Sequence, residues 1–151
     1  MGAKTILVLH GPNLNLLGER EPALYGRTTL AEIDRSLAER GKARGYKVVS
    51  VQANDEGTLV TALQKARRSA AGVLLNPAAF THTSLSLLDA LRAIAAPKVE
   101  VHLTNLFARE PERRLSVTAG AADGFVAGFG AASYRVGLDA LIDLIEQRSG
   151  R

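Results

Sequence analysis

The sequence has no cysteine and no tryptophan. Without cysteine there is no disulfide framework, no thiolate nucleophile and no Cys-based zinc or iron–sulfur site. Aromatic residues make up only 5% of the chain, too few for a platform on which bases stack. No apolar run approaches the ~18–20 residues of a membrane span. The stretch from Met1 to His10 carries one basic residue and a short apolar run, Ile6-Leu-Val-Leu9. That is too short for a signal-peptide core, and it reads as a first strand. Met1-Gly2 makes no myristoylation signal, because Ile6 stands where Ser or Thr is needed. A cytoplasmic location without a membrane partner is the expectation.

What is present is ordinary globular composition. The 151 residues are 46% hydrophobic and 23% charged, which fits a single domain spanning 1–151. A domain of this size buries roughly 70% of its unfolded surface and needs no metal or disulfide to fold. The net charge is +4 and the pI about 9.8, so a nucleic-acid partner has to be weighed. Arg supplies 14 of the 19 basic residues, but they are scattered among 15 acids with no basic run longer than a pair such as Arg113-Arg114. Nucleic-acid binders gather such charge on one face or tail. A small anionic substrate explains the Arg excess at least as well, since guanidinium grips carboxylate bidentately, and no nucleic-acid partner is expected.

Short β-rich runs alternate with amphipathic stretches. Thr5–His10 reads as a strand covered on both faces. The segment Gly11–Arg27 is too polar and interrupted to be a buried element. Thr29-Leu-Ala-Glu32 has the spacing of a capping box, and Leu30, Ile33 and Leu37 carry a helix to about Arg44. Strands follow at Lys47–Gln52, Gly72–Asn76, Lys98–Leu103 and Phe125–Gly128, with helices over Thr58–Ser69, Ser84–Ala95 and Tyr134–Gln147. This order predicts an α/β sandwich with a parallel sheet and right-handed crossovers. Ligands of such sheets bind beyond the carboxyl ends of the strands, so the residues there matter most.

After the first strand, Gly11–Gly26 contains neither Gly-x-x-x-x-Gly-Lys-Ser/Thr nor Gly-x-Gly-x-x-Gly. It offers Asn13, Arg20 and Tyr25 on a loop able to close, and it reads equally as a surface loop with incidental polar residues. The third strand ends in Asn76-Pro77, followed by His82 and several hydroxyls before a helix N-terminus. Helix capping by Thr83 or Ser84 accounts for part of that hydroxyl content, but not for His82. In the fourth strand Glu100 and His102 are two apart and share a face. The carboxylate either orients the imidazole or sits on a solvated edge strand. The loop Phe107–Arg114 adds three guanidinia. His10, His82 and His102 show no metal-ligand spacing, and no metal is expected.

Three segments together, Gly11-Pro-Asn-Leu-Asn-Leu-Leu-Gly-x-Arg-Glu-Pro-x-x-Tyr-Gly26, Asn76-Pro-x-Ala-Phe-Thr-His-Thr-Ser84 and Glu100-Val-His-Leu-Thr-Asn105, resemble type II 3-dehydroquinate dehydratase. The resemblance runs in order over nearly the whole chain. It implies a flavodoxin-like fold, no cofactor, a homododecamer built from trimers, and reversible dehydration of 3-dehydroquinate to 3-dehydroshikimate, the third step toward chorismate. By motif position it makes Tyr25 the base, Arg20 its activator, His102 the general acid, Glu100 the partner of that His, and Asn13 the amide holding a water against the enolate. Asn76, His82, Leu103, Thr104 and Arg113 correspond to substrate-binding positions, and Asp89 to a carboxylate reaching a neighbouring subunit. The chain departs from the family pattern at Glu112, Ala53 and Phe80, none of which removes a catalytic group. The reaction fits these groups chemically. Dehydrating a β-hydroxyketone takes a base for the α-proton, a stabilised enolate and an acid for the departing hydroxyl. A nucleotide-binding module would share the fold class but lacks a phosphate loop here. An inactive homologue would have no reason to keep Tyr25, Arg20 and His102.

Overall fold

The computed structural model describes residues 2–150. Five strands, β1 (Lys4–His10), β2 (Tyr46–Gln52), β3 (Ala70–Asn76), β4 (Lys98–His102) and β5 (Gly124–Ala127), form one parallel sheet in the order β2-β1-β3-β4-β5. The helices are α1 (Pro22–Tyr25), α2 (Leu30–Ala43), α3 (Glu56–Ala66), α4 (Leu85–Arg92) and α5 (Ala132–Ser149). The order reverses at β1, where the chain goes out to β2 and returns to β3. This switch leaves a crevice beyond the ends of β1 and β3.

Local chemistry sets the helix starts. The Thr29 hydroxyl accepts from the Glu32 N–H at 3.2 Å, the expected cap of α2. Asp55 accepts from the Thr58 N–H at 2.8 Å and starts α3 two residues earlier than the apolar pattern suggested. Ser84 caps α4 through the Leu87 N–H at 3.0 Å, so this hydroxyl belongs to the helix. The α4 helix ends at Arg92, short of Ala95. There the buried Lys98 donates from Nζ to the carbonyls of Ile94 (2.6 Å) and Ala96 (3.1 Å), satisfying groups a longer helix would have used.

Helices cover both faces. Ile6, Val8, Leu74, Val99 and Val101 meet α2 and α5 on one face. Leu7, Leu9, Val73 and Leu75 meet α3 and α4 on the other. Each fully buried leucine contributes about 1.5–3 kcal/mol. The alternation also sorts the polar strand ends: His10 and Asn76 fall on the α2/α5 face, Glu100 and His102 on the α3/α4 face. The expectation for Gly11–Arg27 needs correction, because Leu14 and Leu17 are buried in the α2/α5 core. A 3-10 turn at Leu14–Leu16 leaves these two leucines three apart and both pointing inward, while Asn15 and Leu16 between them stay outside. Gly11 is required where β1 and β3 converge: any Cβ there would collide with the Pro77 carbonyl.

Candidate active site

One pocket opens at the carboxyl rim of the sheet. Asn13, Arg20, Tyr25, Asn76, His82, His102, Leu103, Thr104 and Arg113 all line it. Nine of the eleven residues singled out in the sequence therefore meet in one place. Glu100 lies directly behind, and Asp89 lies elsewhere. Asp89 is exposed on α4, in a separate groove with Arg67, and faces away from this pocket.

The backbone around the pocket is strained. Among the described residues only Asn13 (φ 68°), Glu21 (φ 38°) and Ala78 (φ 52°) combine a positive φ with a side chain. Asn13 and Ala78 line the pocket, and Glu21 stands between Arg20 and α1. Such conformations cost of order 1–3 kcal/mol each and concentrate at functional sites. Asn13 is held by its own N–H, which donates to Asn54 Oδ1 at 3.1 Å.

Tyr25, half-buried at the end of α1, has two cations close to its ring. The Arg20 guanidinium sits 4.7 Å from the ring centroid and that of Arg109 5.8 Å. Arg109 also donates to the Thr104 hydroxyl at 3.2 Å. Burial works against its charge, but the Tyr25 hydroxyl and the Glu110 carboxylate more than offset this, holding the guanidinium above its ordinary value. Sequence reasoning counted Arg109 only as one of three loop guanidinia. The signal available was its position in the loop that follows the third motif. Arg113 lines the pocket and donates to Glu110 at 2.7 Å, while the divergent Glu112 is exposed.

Glu100 and His102 form the second half of the site. His102 Nε2 lies 2.7 Å from Glu100 Oε2, and because a carboxylate only accepts, Nε2 carries the proton. Glu100 is fully buried among three hydroxyls. Thr81 reaches Oε2 at 2.7 Å, Ser116 reaches it at 3.0 Å, and Thr118 donates to Oε1. Burial pushes the Glu100 carboxyl up, but the His102 contact and the Thr118 and Thr81 hydroxyls outweigh it and hold the group below its ordinary value. The solvated-edge alternative is thereby removed. Thr81, Ser116 and Thr118 were missed in the sequence, where hydroxyls are too common to signal anything. His82 donates from Nδ1 to the Leu115 carbonyl at 2.7 Å, leaving Nε2 for a ligand.

Comparison with known proteins covers nearly the whole chain. The family described as Dehydroquinase class II matches residues 4–142. The chain belongs to the class II dehydroquinases. It is 51% identical to the 3-dehydroquinate dehydratase of Carboxydothermus hydrogenoformans over 95% of this chain and 93% of that protein. It is 54% identical to that of Xanthomonas oryzae over 93% and 96%. Among solved structures, the type II dehydroquinase from Propionibacterium acnes superposes with a TM-score of 0.90 at 38% identity, covering 94% of this chain and 98% of that one. The enzyme from Butyrivibrio crossotus gives 0.90 at 35%, covering 93% and 98%. The five-stranded parallel sheet with helices on both faces is the flavodoxin-like fold of these dehydroquinases. Among the described residues no cluster of three or more His, Asp or Glu is disposed to hold a metal, and no helix is long and apolar enough to cross a membrane.

Proposed function

We propose that this chain is a 3-dehydroquinate dehydratase that converts 3-dehydroquinate reversibly to 3-dehydroshikimate through an enolate, with Tyr25 and His102 as its two proton-transfer groups. The observation that carries the reading is their arrangement in one pocket: a phenol with two guanidinia close to its ring, faced by an imidazole backed by a buried carboxylate. Two guanidinia close to Tyr25 are complementary to the negative charge of a phenolate, the form able to take the proton next to the ketone. Arg20 lies over the ring, and Arg109 joins it as a second activator. The electrons left behind form an enolate, which a water held by Asn13 stabilises. As the enolate collapses, the C–O bond to the β-hydroxyl breaks and His102 supplies the proton that makes the leaving group water. Glu100 stabilises the imidazolium this step requires. Asn76, His82, Thr104, Arg113 and the backbone at Leu103 bind the substrate carboxylate and hydroxyls. No redox change or group carrier enters the scheme, so it invokes no cofactor.

The alternative chemistry for this reaction uses a lysine Schiff base. Lys98 is the lysine to consider, because burial pushes its ammonium down despite Asp123 nearby. It begins β4, whereas His102 ends it, about 13 Å away at the usual strand rise. Borohydride with substrate should therefore leave the protein's mass and activity unchanged, and a reduced lysine adduct would overturn the enolate scheme. The direct test is incubation with 3-dehydroquinate while following the enone absorbance in the ultraviolet, for the wild type and Tyr25→Phe. The variant should lose at least ~10²-fold in kcat with binding largely kept. Near-normal turnover would remove Tyr25 as the base.

In the same reading the chain works in the cytoplasm as a homododecamer, and Asp89 completes a neighbouring subunit's pocket. Its exposure on α4, away from its own site, supports that role. Sedimentation should show a closed assembly of twelve chains. Full activity from a monomer would overturn it.

A further inference from the structure

Glu110 has no part in the scheme above, yet it grips two residues that do. It precedes the single 3-10 turn Pro111–Arg113 in the loop after β4. Its carbonyl accepts from the Arg113 N–H at 2.9 Å, and residues three apart in such a turn stand on the same side. The carboxylate then joins two guanidinia by their Nε atoms. Oε1 accepts from Arg113 Nε at 2.7 Å, and Oε2 from Arg109 Nε at a looser 3.4 Å. Both arginines line the pocket, and Glu110 does not. Side-chain exposure rises from 13% at Arg109 and 32% at Arg113 to 45% at Glu110, so the carboxylate stands on the solvent side of the two cations.

The shape of a guanidinium decides what this bridge does. Its donors lie in one plane in a fixed fork, so an acceptor on Nε fixes the plane and leaves the terminal nitrogens to meet a second acceptor. At Arg109 one of these, Nη1, donates to the Thr104 hydroxyl at 3.2 Å. At Arg113 neither terminal nitrogen has a partner among the described residues. An exposed ion pair adds little to stability, and the turn does not need this one, because the Glu110 side chain makes no cap to it. Two like charges aimed at one pocket do need a counter-charge. Without it they repel each other, and a long side chain spreads over its rotamers.

We infer that Glu110 is a positioning residue that holds Arg113, and more loosely Arg109, with terminal nitrogens turned to the oxygens of the anionic substrate. The inference rests on the reading of Arg113 as a substrate-binding group. A carboxylate at the rim can act in two opposite senses. As a bare charge it repels an anionic substrate and weakens capture. As a clamp it orders a long side chain before the substrate arrives, and capture is strengthened. The tighter contact is to Arg113 and the looser one to the arginine beside Tyr25, so loss of the clamp falls on binding before turnover.

The test is steady-state kinetics of the full chain with 3-dehydroquinate at low ionic strength for Glu110→Gln, Arg113→Ala and the double variant. Glu110→Gln keeps the size and one acceptor but loses the charge and the second carboxylate oxygen. It should raise KM ~3–10-fold and change kcat less than ~3-fold, as expected for lost binding felt equally in ground and transition states. Arg113→Ala should raise KM by ~10-fold or more. Adding Glu110→Gln to it should raise KM no further, because the effect passes through that guanidinium. A charge without a clamp gives the reverse sign: Glu110→Gln would leave the pocket more positive and lower KM, most strongly at low salt. A merely structural role would lower the active fraction and leave KM alone. If Arg113→Ala raises KM, either of these two results for Glu110→Gln overturns the inference while the site reading survives. If Arg113→Ala leaves KM unchanged, the assignment of Arg113 itself fails and takes the inference with it.

Discussion

Glu100–His102 and Asp34–His10 are both carboxylate–imidazole contacts of 2.7 Å at the carboxyl rim, one on each face of the sheet. They are built in opposite senses. In the first the carboxylate is the fully buried member, and three hydroxyls satisfy it. Its imidazole uses only Nε2 within the chain and stands in the pocket wall with Nδ1 unpartnered among the described residues. In the second the imidazole is fully buried with both nitrogens engaged, and the carboxylate reaches solvent. An acid–base role needs a nitrogen free to exchange a proton with substrate, so contact with a carboxylate does not by itself mark a catalytic histidine. The fate of the second nitrogen does.

The largest expected effect comes from exchanging these roles directly. His102→Gln should lower kcat by ~10²–10⁴-fold, the range for a lost general acid, with the protein still folded. His10→Gln should change kcat by less than about 3-fold, since His10 is fully buried and lines no part of the pocket. Steady-state kinetics of the two variants checks this, and equal losses in kcat would erase the distinction.

Glu100→Gln comes next. It keeps the shape but removes the charge that stabilises the imidazolium, so kcat should fall ~10–10²-fold. Disturbing a fully buried charged partner should also cost about 3 kcal/mol in chemical denaturation. Asp34→Asn, at a partly exposed carboxylate, should cost less than about 1 kcal/mol.

The contrast between the two pairs was half visible in the sequence. Glu100 and His102 sit two apart in one strand, and period-2 geometry puts them on one face without further information. His10 and Asp34 are 24 residues apart on different elements, and only the packing of α2 against β1 brings them together. The strands and the capped start of α2 were legible for the same local reason: an apolar run and Thr29-x-x-Glu32 declare themselves within a few residues. Arg109 was not legible. Its contact with Tyr25 joins loops that follow β4 and β1, and one guanidinium in a loop holding three looks like another. The burial of Leu14 and Leu17 was hidden by polar neighbours that stay outside on the same turn.

Acid stability separates the pairs more finely. The Glu100 carboxyl titrates lower in the folded protein than unfolded, so its contribution is complete above the ordinary carboxylate range near 4.5 and is lost as pH falls through the folded value. In thermal melts the gap between wild type and Glu100→Gln should therefore be constant at neutral pH and shrink as pH drops below about 4.5. A gap that widened in acid would mean the carboxyl is held protonated, and its role as the anion behind His102 would fall.

The smallest effect expected is at Ser116. Its hydroxyl is one of three donors converging on Glu100 Oε2, with Thr81 and His102 Nε2, while Thr118 serves Oε1. Deleting it leaves both carboxylate oxygens with a donor. It also removes the acceptor for the Ala119 N–H, 3.0 Å away at the start of a loose 3-10 turn where water can substitute. Ser116→Ala should then cost about 0.5–1.5 kcal/mol of stability and change kcat less than about 3-fold. Thr81→Val should cost more, because Thr81 is fully buried and its hydroxyl touches Ser116, Thr118 and Glu100 together. If Ser116→Ala were as damaging as Glu100→Gln, the hydroxyls would be acting as one unit with no redundancy. The ionised state of Glu100 would then depend on all three, and His102 would owe its backing to the loops as much as to its own strand.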